Sequence, residues 1–462
     1  MHLRSVGPAV LVAVTSAACA NSGWTEVKSA HTTVKTDLSP EDARRAAVLA
    51  EQTRAALLAA AWPASKLEPD HVDLIVFADH QEFQRYFGSY GAKVVLEDHQ
   101  HLVFLYGPPD RWEKRIALDD EGTTSALKEA LVEHLSTFFY RRRPRWFSVG
   151  LAEFLETLRI SKDGKTAILG TVNLEALALY RFYRTITVED ALAWGVTLNP
   201  TDQGTVLGLR GLSWLMVQWL FNTHQQDFVR FQKLLITGLE PRKAWEVAFP
   251  NLTPRDLDQE LNSFARYGFE GLAKMPIPES PMALEAPRAL GSAEVHSLKA
   301  EAAVAVEQKR EAETELSAAL ALDPGNLAAL RRRMALVSPP ERLVLARRAT
   351  AAHPDDALAW LSLGDALRDT GGNPEDRIAA YRKAAERAPW DASMLDTLAS
   401  AFASAGRCHE AAATEGQASD LALAKGVSAK RTEYASRLVE IEDTCVPAAS
   451  APATSESRVP KT

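Results

Sequence analysis

Residues 129–156, EALVEHLSTFFYRRRPRWFSVGLAEFLE, decide how the N-terminal half of this chain folds. The stretch begins with an apolar run that contains one histidine, His134, and continues through a basic segment into Pro-x-Trp-Phe-Ser. A second apolar run then begins with Gly-Leu-Ala-Glu. Residues one turn apart share a face of a helix, so each run can present a set of side chains to the other. The stretch predicts a helical hairpin with His134 on its first helix.

This hairpin resembles the active site of the gluzincin-type zinc peptidases of the MA-like group, whose helices read H-E-x-x-H and W-x-x-E-G-x-A-E. The resemblance implies two histidines and a glutamate as zinc ligands, and a second glutamate that activates the bound water. In this chain Ala130 stands at the first histidine, Leu131 at the general base, His134 at the second histidine and Val149 at the third ligand. Three of the four functional positions are apolar. The resemblance therefore implies a peptidase fold without catalytic residues, a pseudoenzyme.

Neighbouring side chains are the alternative source of metal ligands. Glu153 lies one turn beyond Val149 and is the best substitute ligand, while His99 and His101 can approach only if their segment lines the same cleft. A catalytic zinc requires three protein ligands and an open position. We therefore expect no cofactor, and zinc only if His134 and Glu153 rebuild the site. A packed or hydrogen-bonded His134 is the favoured interpretation.

The N-terminus indicates export from the cytoplasm. Residues 1–19 contain an early arginine, an apolar run and small residues before Cys19, as a secretory signal does. The sequence SAAC at residues 16–19 resembles a bacterial lipobox, which implies a lipid on Cys19 and attachment to a membrane. Because Ala20 is not acidic, we expect an outer-membrane lipoprotein that faces the periplasm. Ordinary cleavage after Ala20, giving a soluble periplasmic or secreted protein, is the alternative.

Composition bounds the remaining possibilities. The chain has 462 residues and a formal net charge of −8, which allows two or three domains. No domain-wide basic surface appears, so nucleic acid is not an expected partner. We predict a polar tether over residues 20–37 and a peptidase-like α+β domain over residues 38–274, with a small sheet and a helical lobe. A Pro-rich linker is predicted over residues 275–294.

Beyond the linker the sequence changes to Ala/Leu/Arg/Glu-rich helices. Pro324, Pro354 and Pro389 recur at intervals of 30 and 35 residues. This spacing resembles the 34-residue tetratricopeptide repeat. The resemblance implies an all-α solenoid over residues 295–444 with a final capping helix, and then a disordered tail over residues 445–462. Such arrays bind a protein or peptide in a groove, and the candidate contact residues are Trp360, Leu367, Tyr381 and Phe402.

Cys408 and Cys445 remain after the signal segment. In an oxidising compartment they are a candidate disulfide, and as free buried thiols they would be unremarkable.

Three functions follow from these patterns. The first is a non-catalytic envelope scaffold that has a pseudo-peptidase domain and a repeat array for protein–protein interaction. The second is an active zinc metallopeptidase with displaced ligands. The third is a purely structural lipoprotein whose grooves bind nothing.

Overall fold

The computed structural model describes residues 21–62, 71–88, 93–97, 100–115, 123–140, 143–269, 271–278, 283–424 and 428–445. The fold is mixed α/β, with small sheets in the N-terminal part and a helical C-terminal part. The predicted signal with Cys19, and the predicted tail beyond Cys445, lie outside the described residues. Among the residues described, none of the helices combines the length and apolar character needed to cross a bilayer.

Eleven strands are present in the described part of the chain. In chain order they are β1 Asn21–Lys28, β2 Thr32–Thr36, β3 Val72–Phe77, β4 Lys93–Glu97, β5 Gln100–Tyr106, β6 Glu113–Arg115, β7 Thr123–Ser125, β8 Arg159–Ile160, β9 Thr166–Leu169, β10 Ala273–Pro276 and β11 Arg288–Gly291. The main sheet has the order β11-β1-β2-β3-β5-β4. The pairs β2/β3 and β3/β5 are parallel and the others antiparallel.

Ten helices accompany these strands and nine more follow them within the described ranges. The first group is α1 Pro40–Ala61, α2 His80–Phe87, α3 Ala126–Phe139, α4 Arg145–Glu156, α5 Leu174–Phe182, α6 Val188–Ala193, α7 Gln203–Thr223, α8 Gln225–Ile236, α9 Pro241–Ala248 and α10 Pro254–Tyr267. The second group is α11 Ser292–Ala305, α12 Lys309–Leu322, α13 Leu327–Leu336, α14 Pro339–Ala352, α15 Ala357–Asp369, α16 Pro374–Arg387, α17 Ala392–Ser404, α18 Cys408–Ala424 and α19 Ser428–Thr444.

Strand β3 separates two hydrophobic cores. Successive side chains of a strand point to opposite faces. Leu74 and Val76 accordingly join the core that contains α1, α3, α4 and α7, whereas Ile75 and Phe77 join a second core. The run HVDLIVFA is apolar almost throughout because this central strand is covered on both faces.

Residues 20–37 do not form the predicted tether, because residues 21–36 contain β1 and β2. Their Ser/Thr-rich composition suggested a solvated segment, yet Trp24, Val27 and Val34 are buried in the two cores. The threonines of these two strands favour an extended backbone because their side chains are β-branched. The N-terminal segment is therefore part of the sheet.

The predicted linker over residues 275–294 also requires correction. Within it, β11 pairs antiparallel with β1 at the edge of the main sheet, and Leu290 is buried in the second core. Arg288 bridges Glu26 at 3.0 Å and Glu294 at 2.8 Å, which ties the strand to both its neighbour and the next helix. The prolines of this segment limit β11 to a short edge strand.

The helical C-terminal part begins directly on the sheet. Phe83 and Phe87 of α2 share the second core with Leu298 of α11 and Ala312 of α12. Lys299 adds an ion pair to Glu82 at 2.7 Å. Because the two parts share this apolar core, the first helical pair is held against the sheet.

From α11 onward, consecutive helices pack as hairpins. At the α15/α16 hairpin, a Cβ on Gly364 would lie 2.3 Å from Cε1 of Tyr381, so only glycine allows this approach. The phenol of Tyr381 donates a hydrogen bond to Asp365 at 2.9 Å. At the C-terminal end, Cys408 and Cys445 form a disulfide with their Cα atoms 5.6 Å apart. This bond joins the start of α18 to the residue that follows α19.

Candidate functional site

The helical hairpin of residues 129–156 is formed by α3 and α4, as the sequence predicts. Tyr140 and Trp146 at the ends of the connecting loop are buried, and Pro144 precedes α4, which begins at Arg145. Helix α7 covers α4 so closely that a Cβ on Gly150 would lie 2.2 Å from the Ser213 carbonyl oxygen. The two helices are therefore held against a rigid apolar support.

The positions that the zinc-peptidase resemblance assigns to metal chemistry lie in this apolar core. Ala130 and Leu131 are buried, and Val149 is half-buried against the same cluster. None of these side chains has an atom that can coordinate a metal or accept a proton. Leu131 in particular cannot perform the role of a general base toward water.

His134 is fully buried and contacts His101 of β5. Their Nδ1 atoms are 2.9 Å apart, and the two rings meet edge to face. One Nδ1 must carry the hydrogen and the other must accept it, so the contact fixes complementary protonation of the two rings. His99, the other histidine considered from sequence, lies outside the described residues.

Glu153 is held by its own partners rather than left open for a metal. Its carboxylate forms an ion pair with Arg210 of α7 and accepts a hydrogen bond from Asn173 Nδ2 at 3.1 Å. Burial raises the pKa of Glu153, and the opposite charge of Arg210 lowers it in part. Asn173 also caps α5, because its Oδ1 accepts a hydrogen bond from the Ala176 amide at 3.0 Å.

A second carboxyl group one turn along α4 is strongly perturbed. The pKa of Glu156 is raised to about 8, first by burial and then by the neighbouring carboxylates of Glu153 and Glu129. Arg210 acts in the opposite direction. At neutral pH the carboxyl of Glu156 is therefore largely protonated, and Arg210 serves mainly Glu153.

These donors do not fit a peptidase zinc. Within the described ranges, no three histidine, cysteine, aspartate or glutamate side chains are grouped so that they could hold a metal ion. His134 and His101 supply two imidazoles, and the carboxylate of Glu153 faces Arg210 and Asn173. A catalytic zinc needs three protein ligands.

The four residues predicted to contact a partner lie in the helical region, but three of them are interior. Leu367, Tyr381 and Phe402 are buried among the helices and do not fit a direct contact with a ligand. Trp360 is half-buried, with Lys383 Nζ 4.0 Å from its ring centroid. Large side chains at helical spacing mark both cores and grooves, and here they fill the space between helices.

An open cavity that the sequence reasoning missed lies beside α11, α13 and α15, with a volume of about 470 Å³. Its charged side chains are four arginines and three acids, and Arg332, Arg342 and Arg368 form ion pairs with these acids. Its lining residues are Glu301, Ala328, Arg331, Arg332, Met334, Ala335, Arg342, Ser362, Asp365, Arg368 and Asp369. The run Arg331–Arg332–Arg333 in the sequence was the signal that could have located it.

Comparisons with known proteins do not identify a family for this chain. No family model and no curated protein matches the chain. Among solved structures it is similar to "Crystal structure of MamA protein", with 15% sequence identity, a TM-score of 0.26, and coverage of 33% of this chain and 92% of that chain. The function must therefore be argued from the residues of the site.

Replacing Arg210 with methionine is expected to destabilise the fold more at pH 8 than at pH 5. Removing one partner of a buried pair costs about 3–5 kcal/mol. Because the Arg210 side chain is 40% exposed, solvent screening reduces the expected loss to about 2 kcal/mol at pH 8. Without Arg210 the pKa of Glu153 rises further above its unfolded value, so stability is retained at low pH and lost as pH rises through the folded pKa.

The measurement is guanidinium unfolding of both proteins at the two pH values. The control is Glu153→Gln combined with Arg210→Met, which removes both charges and should remain close to the wild type at either pH. An equal loss at pH 5 and pH 8 for Arg210→Met alone would contradict the assignment of Arg210 as the partner of an ionised Glu153.

Proposed function

We propose that this protein is a non-catalytic scaffold of the cell envelope. Its N-terminal part is a gluzincin-like domain that has lost peptidase chemistry, and its C-terminal part is a tetratricopeptide-like array that binds a protein or peptide. The signal-like sequence before Cys19 supports an envelope location with a lipid on that cysteine. The net charge of −8 does not favour nucleic acid as a partner, because nucleic-acid binding requires a basic surface.

The observation that carries the proposal is the apolar character of the former catalytic positions. Ala130, Leu131 and Val149 pack with the hydrophobic core and offer no ligand or base. The remaining polar groups each contact another side chain of the same chain: His134 contacts His101, and Glu153 forms an ion pair with Arg210. Binding without bond cleavage is the function that such a site can still perform.

The helical hairpins support the binding part of the proposal. Pro324 and Pro354 follow the ends of α12 and α14, and Pro389 follows α16, so the sequence period coincides with helix pairs. Stacked pairs of this kind leave a continuous surface made by the first helix of each pair. The cavity lies on the surface formed by α11, α13 and α15. A segment of a partner protein with carboxylate groups would bind there by replacing the cavity's own acids as partners of the guanidinium groups.

Strand β4 supports a further role for the peptidase-like domain in peptide binding. It is the last strand of the main sheet, next to β5, and helix α3 packs nearby. The outer edge of such a strand can pair with an extended peptide through main-chain hydrogen bonds, which need no metal. We propose this edge as the place where the domain would hold an extended chain.

An active zinc metallopeptidase with displaced ligands is the second candidate function. The contact between His134 and His101 favours it, because two imidazole nitrogens 2.9 Å apart could turn toward one ion. Glu153 would have to exchange Arg210 for the metal to complete the ligand set.

Elemental analysis of the purified protein distinguishes these two functions. We expect well under about one zinc per ten chains after dialysis against zinc, and no cleavage of an unfolded protein substrate. The control is His134→Ala, which should leave the metal content unchanged. Stoichiometric zinc that disappears in His134→Ala, together with cleavage of the substrate, would establish the peptidase instead.

A further inference from the structure

Two aromatic side chains stand out on the surface of the helical lobe. Phe182 ends α5 and Tyr267 ends α10, and they are 80% and 81% exposed. Rings that lined a groove would be shielded by its walls, so this degree of exposure means that both rings protrude. A large apolar side chain that protrudes into water is typical of a contact surface when charged residues surround it.

The two helix ends belong to one surface. Arg181 Nη2 donates a hydrogen bond to the Ala265 carbonyl oxygen at 2.9 Å. The phenol of Tyr180 donates to Asn262 Oδ1 at 3.1 Å. These two contacts lie one or two residues from Phe182 on α5 and two to five residues from Tyr267 on α10, so they place the rings on neighbouring helix ends.

Three exposed arginines flank the rings: Arg181, Arg184 and Arg266. Burial and then the carboxylate of Asp258 raise the pKa of Tyr180, and Arg184 and Arg266 both lie close enough to lower it, which places them on the same side of the lobe. Within the described residues none of the three arginines forms an ion pair. Two acids lie nearby: Asp258, which accepts a hydrogen bond from the Val188 amide at 2.9 Å, and Asp190, which is close enough to raise the pKa of Asp258.

The segment that carries Phe182 is rigid. The next residue, Tyr183, lies against α7, where a Cβ on Gly208 would be 2.7 Å from the Tyr183 Cβ and a Cβ on Gly204 would be 3.3 Å from its ring. Arg184 Nε also donates a hydrogen bond to the Arg181 carbonyl oxygen at 3.1 Å. A surface already fixed in this way loses little conformational freedom when it binds.

We propose that Phe182, Tyr267, Arg181, Arg184 and Arg266 form a docking surface for an anionic lipid bilayer. Aromatic rings favour the boundary between headgroups and acyl chains, and guanidinium groups bind lipid phosphates through paired hydrogen bonds. Two protruding rings among three unpaired cations combine both requirements on one rigid surface. The surface uses none of the residues of the hairpin site or of the repeat array. It would orient the scaffold on the membrane whether or not Cys19 carries a lipid.

The first test measures insertion at each ring separately. In the full chain with Cys19→Ser, Phe182→Cys or Tyr267→Cys is labelled with an environment-sensitive nitrobenzoxadiazole dye, and Val344→Cys on α14 serves as the exposed control. With vesicles of phosphatidylcholine and phosphatidylglycerol, we expect a blue shift and about a threefold gain in emission at positions 182 and 267, and no change at position 344. An absence of change at positions 182 and 267 would overturn the proposal. An equal change at position 344, or with phosphatidylcholine alone, would do the same.

The second test removes charge without removing the rings. Arg184→Gln combined with Arg266→Gln is expected to reduce the binding constant measured by sedimentation with the same anionic vesicles about 25-fold, because each arginine near an anionic surface contributes roughly a fivefold increase in binding. Arg184→Lys with Arg266→Lys keeps the charge and should retain most of the binding. Unchanged binding in the glutamine variant would overturn the proposal. So would a cross-linked protein partner at this surface in the absence of any vesicle binding.

Discussion

Replacing Gly150 with alanine is expected to lower the free energy of unfolding by about 3 kcal/mol or more. The new Cβ would lie 2.2 Å from the Ser213 carbonyl oxygen and 2.9 Å from Val217 Cγ2. The Ser213 carbonyl oxygen is part of the backbone of α7, so it cannot rotate away as a flexible side chain could. Helix α4 would have to separate from α7, and the apolar surface between them would lose its packing.

A matched control separates this effect from the general cost of altering a helical glycine. Gly416 lies in α18, and a Cβ there would meet no atom within 4 Å. Gly416→Ala is therefore expected to increase stability by about 0.5–1 kcal/mol, because alanine restricts the unfolded chain and favours the helix. Denaturant unfolding followed by tryptophan fluorescence reports on both variants, because Trp146 and Trp214 lie in the N-terminal part and Trp360 and Trp390 in the C-terminal part. If both variants changed stability alike, close packing at Gly150 could not be the cause.

The position of Gly150 also matters for function. It lies in α4 one turn before Glu153, and Arg210, the ion-pair partner of Glu153, lies in α7. The distance between the two helices therefore determines the geometry of this ion pair. A shift of α4 would expose the carboxylate of Glu153 and lower its pKa toward the ordinary value, because burial is the largest cause of its elevation. The hairpin therefore depends on helix packing for its electrostatics.

The local elements of the fold could be predicted because their signals are local. A serine followed by a proline is typical of a helix start, and at the start of α1 Ser39 Oγ accepts a hydrogen bond from the Asp42 amide at 3.1 Å. The position of residues 20–37 could not be predicted in the same way. Their strand β1 pairs with β11, and the ion pair between Glu26 and Arg288 joins residues 262 positions apart in the sequence. No periodicity within one segment encodes a partner at that distance.

The same limit applies to the candidate site. The apolar Ala130, Leu131 and Val149 were visible in the sequence because the expected residue types are missing from a spaced pattern. The partners of His134 and Glu153 come from β5 and α7, and only the tertiary structure brings them together.

Leu367, Tyr381 and Phe402 of the helical part show a related ambiguity. A large side chain at repeat spacing can fill a core or line a groove, and only burial distinguishes the two.

Removing the disulfide is expected to destabilise the C-terminal helices by about 2–4 kcal/mol. Cys408 and Cys445 are 37 residues apart in sequence, and their bond closes a loop that contains both α18 and α19. Cross-linking two distant residues reduces the freedom of the unfolded chain more than that of the folded chain. The double variant Cys408→Ser/Cys445→Ser restores that freedom without adding a bulky group.

The loss should be concentrated at the end of the array. Tyr434 and Ile441 of α19 are buried against α17 and α18, and α19 is the last helix of the described residues. Stability in stacked helices depends on nearest-neighbour contacts, so freeing the end of α19 exposes the apolar face beneath it. Hydrogen exchange should therefore accelerate in α18 and α19 and remain unchanged in α11 and α12, while Cys19→Ser changes neither. If α19 exchanged at the wild-type rate in the double variant, packing alone would hold the helix and the disulfide would contribute nothing to it.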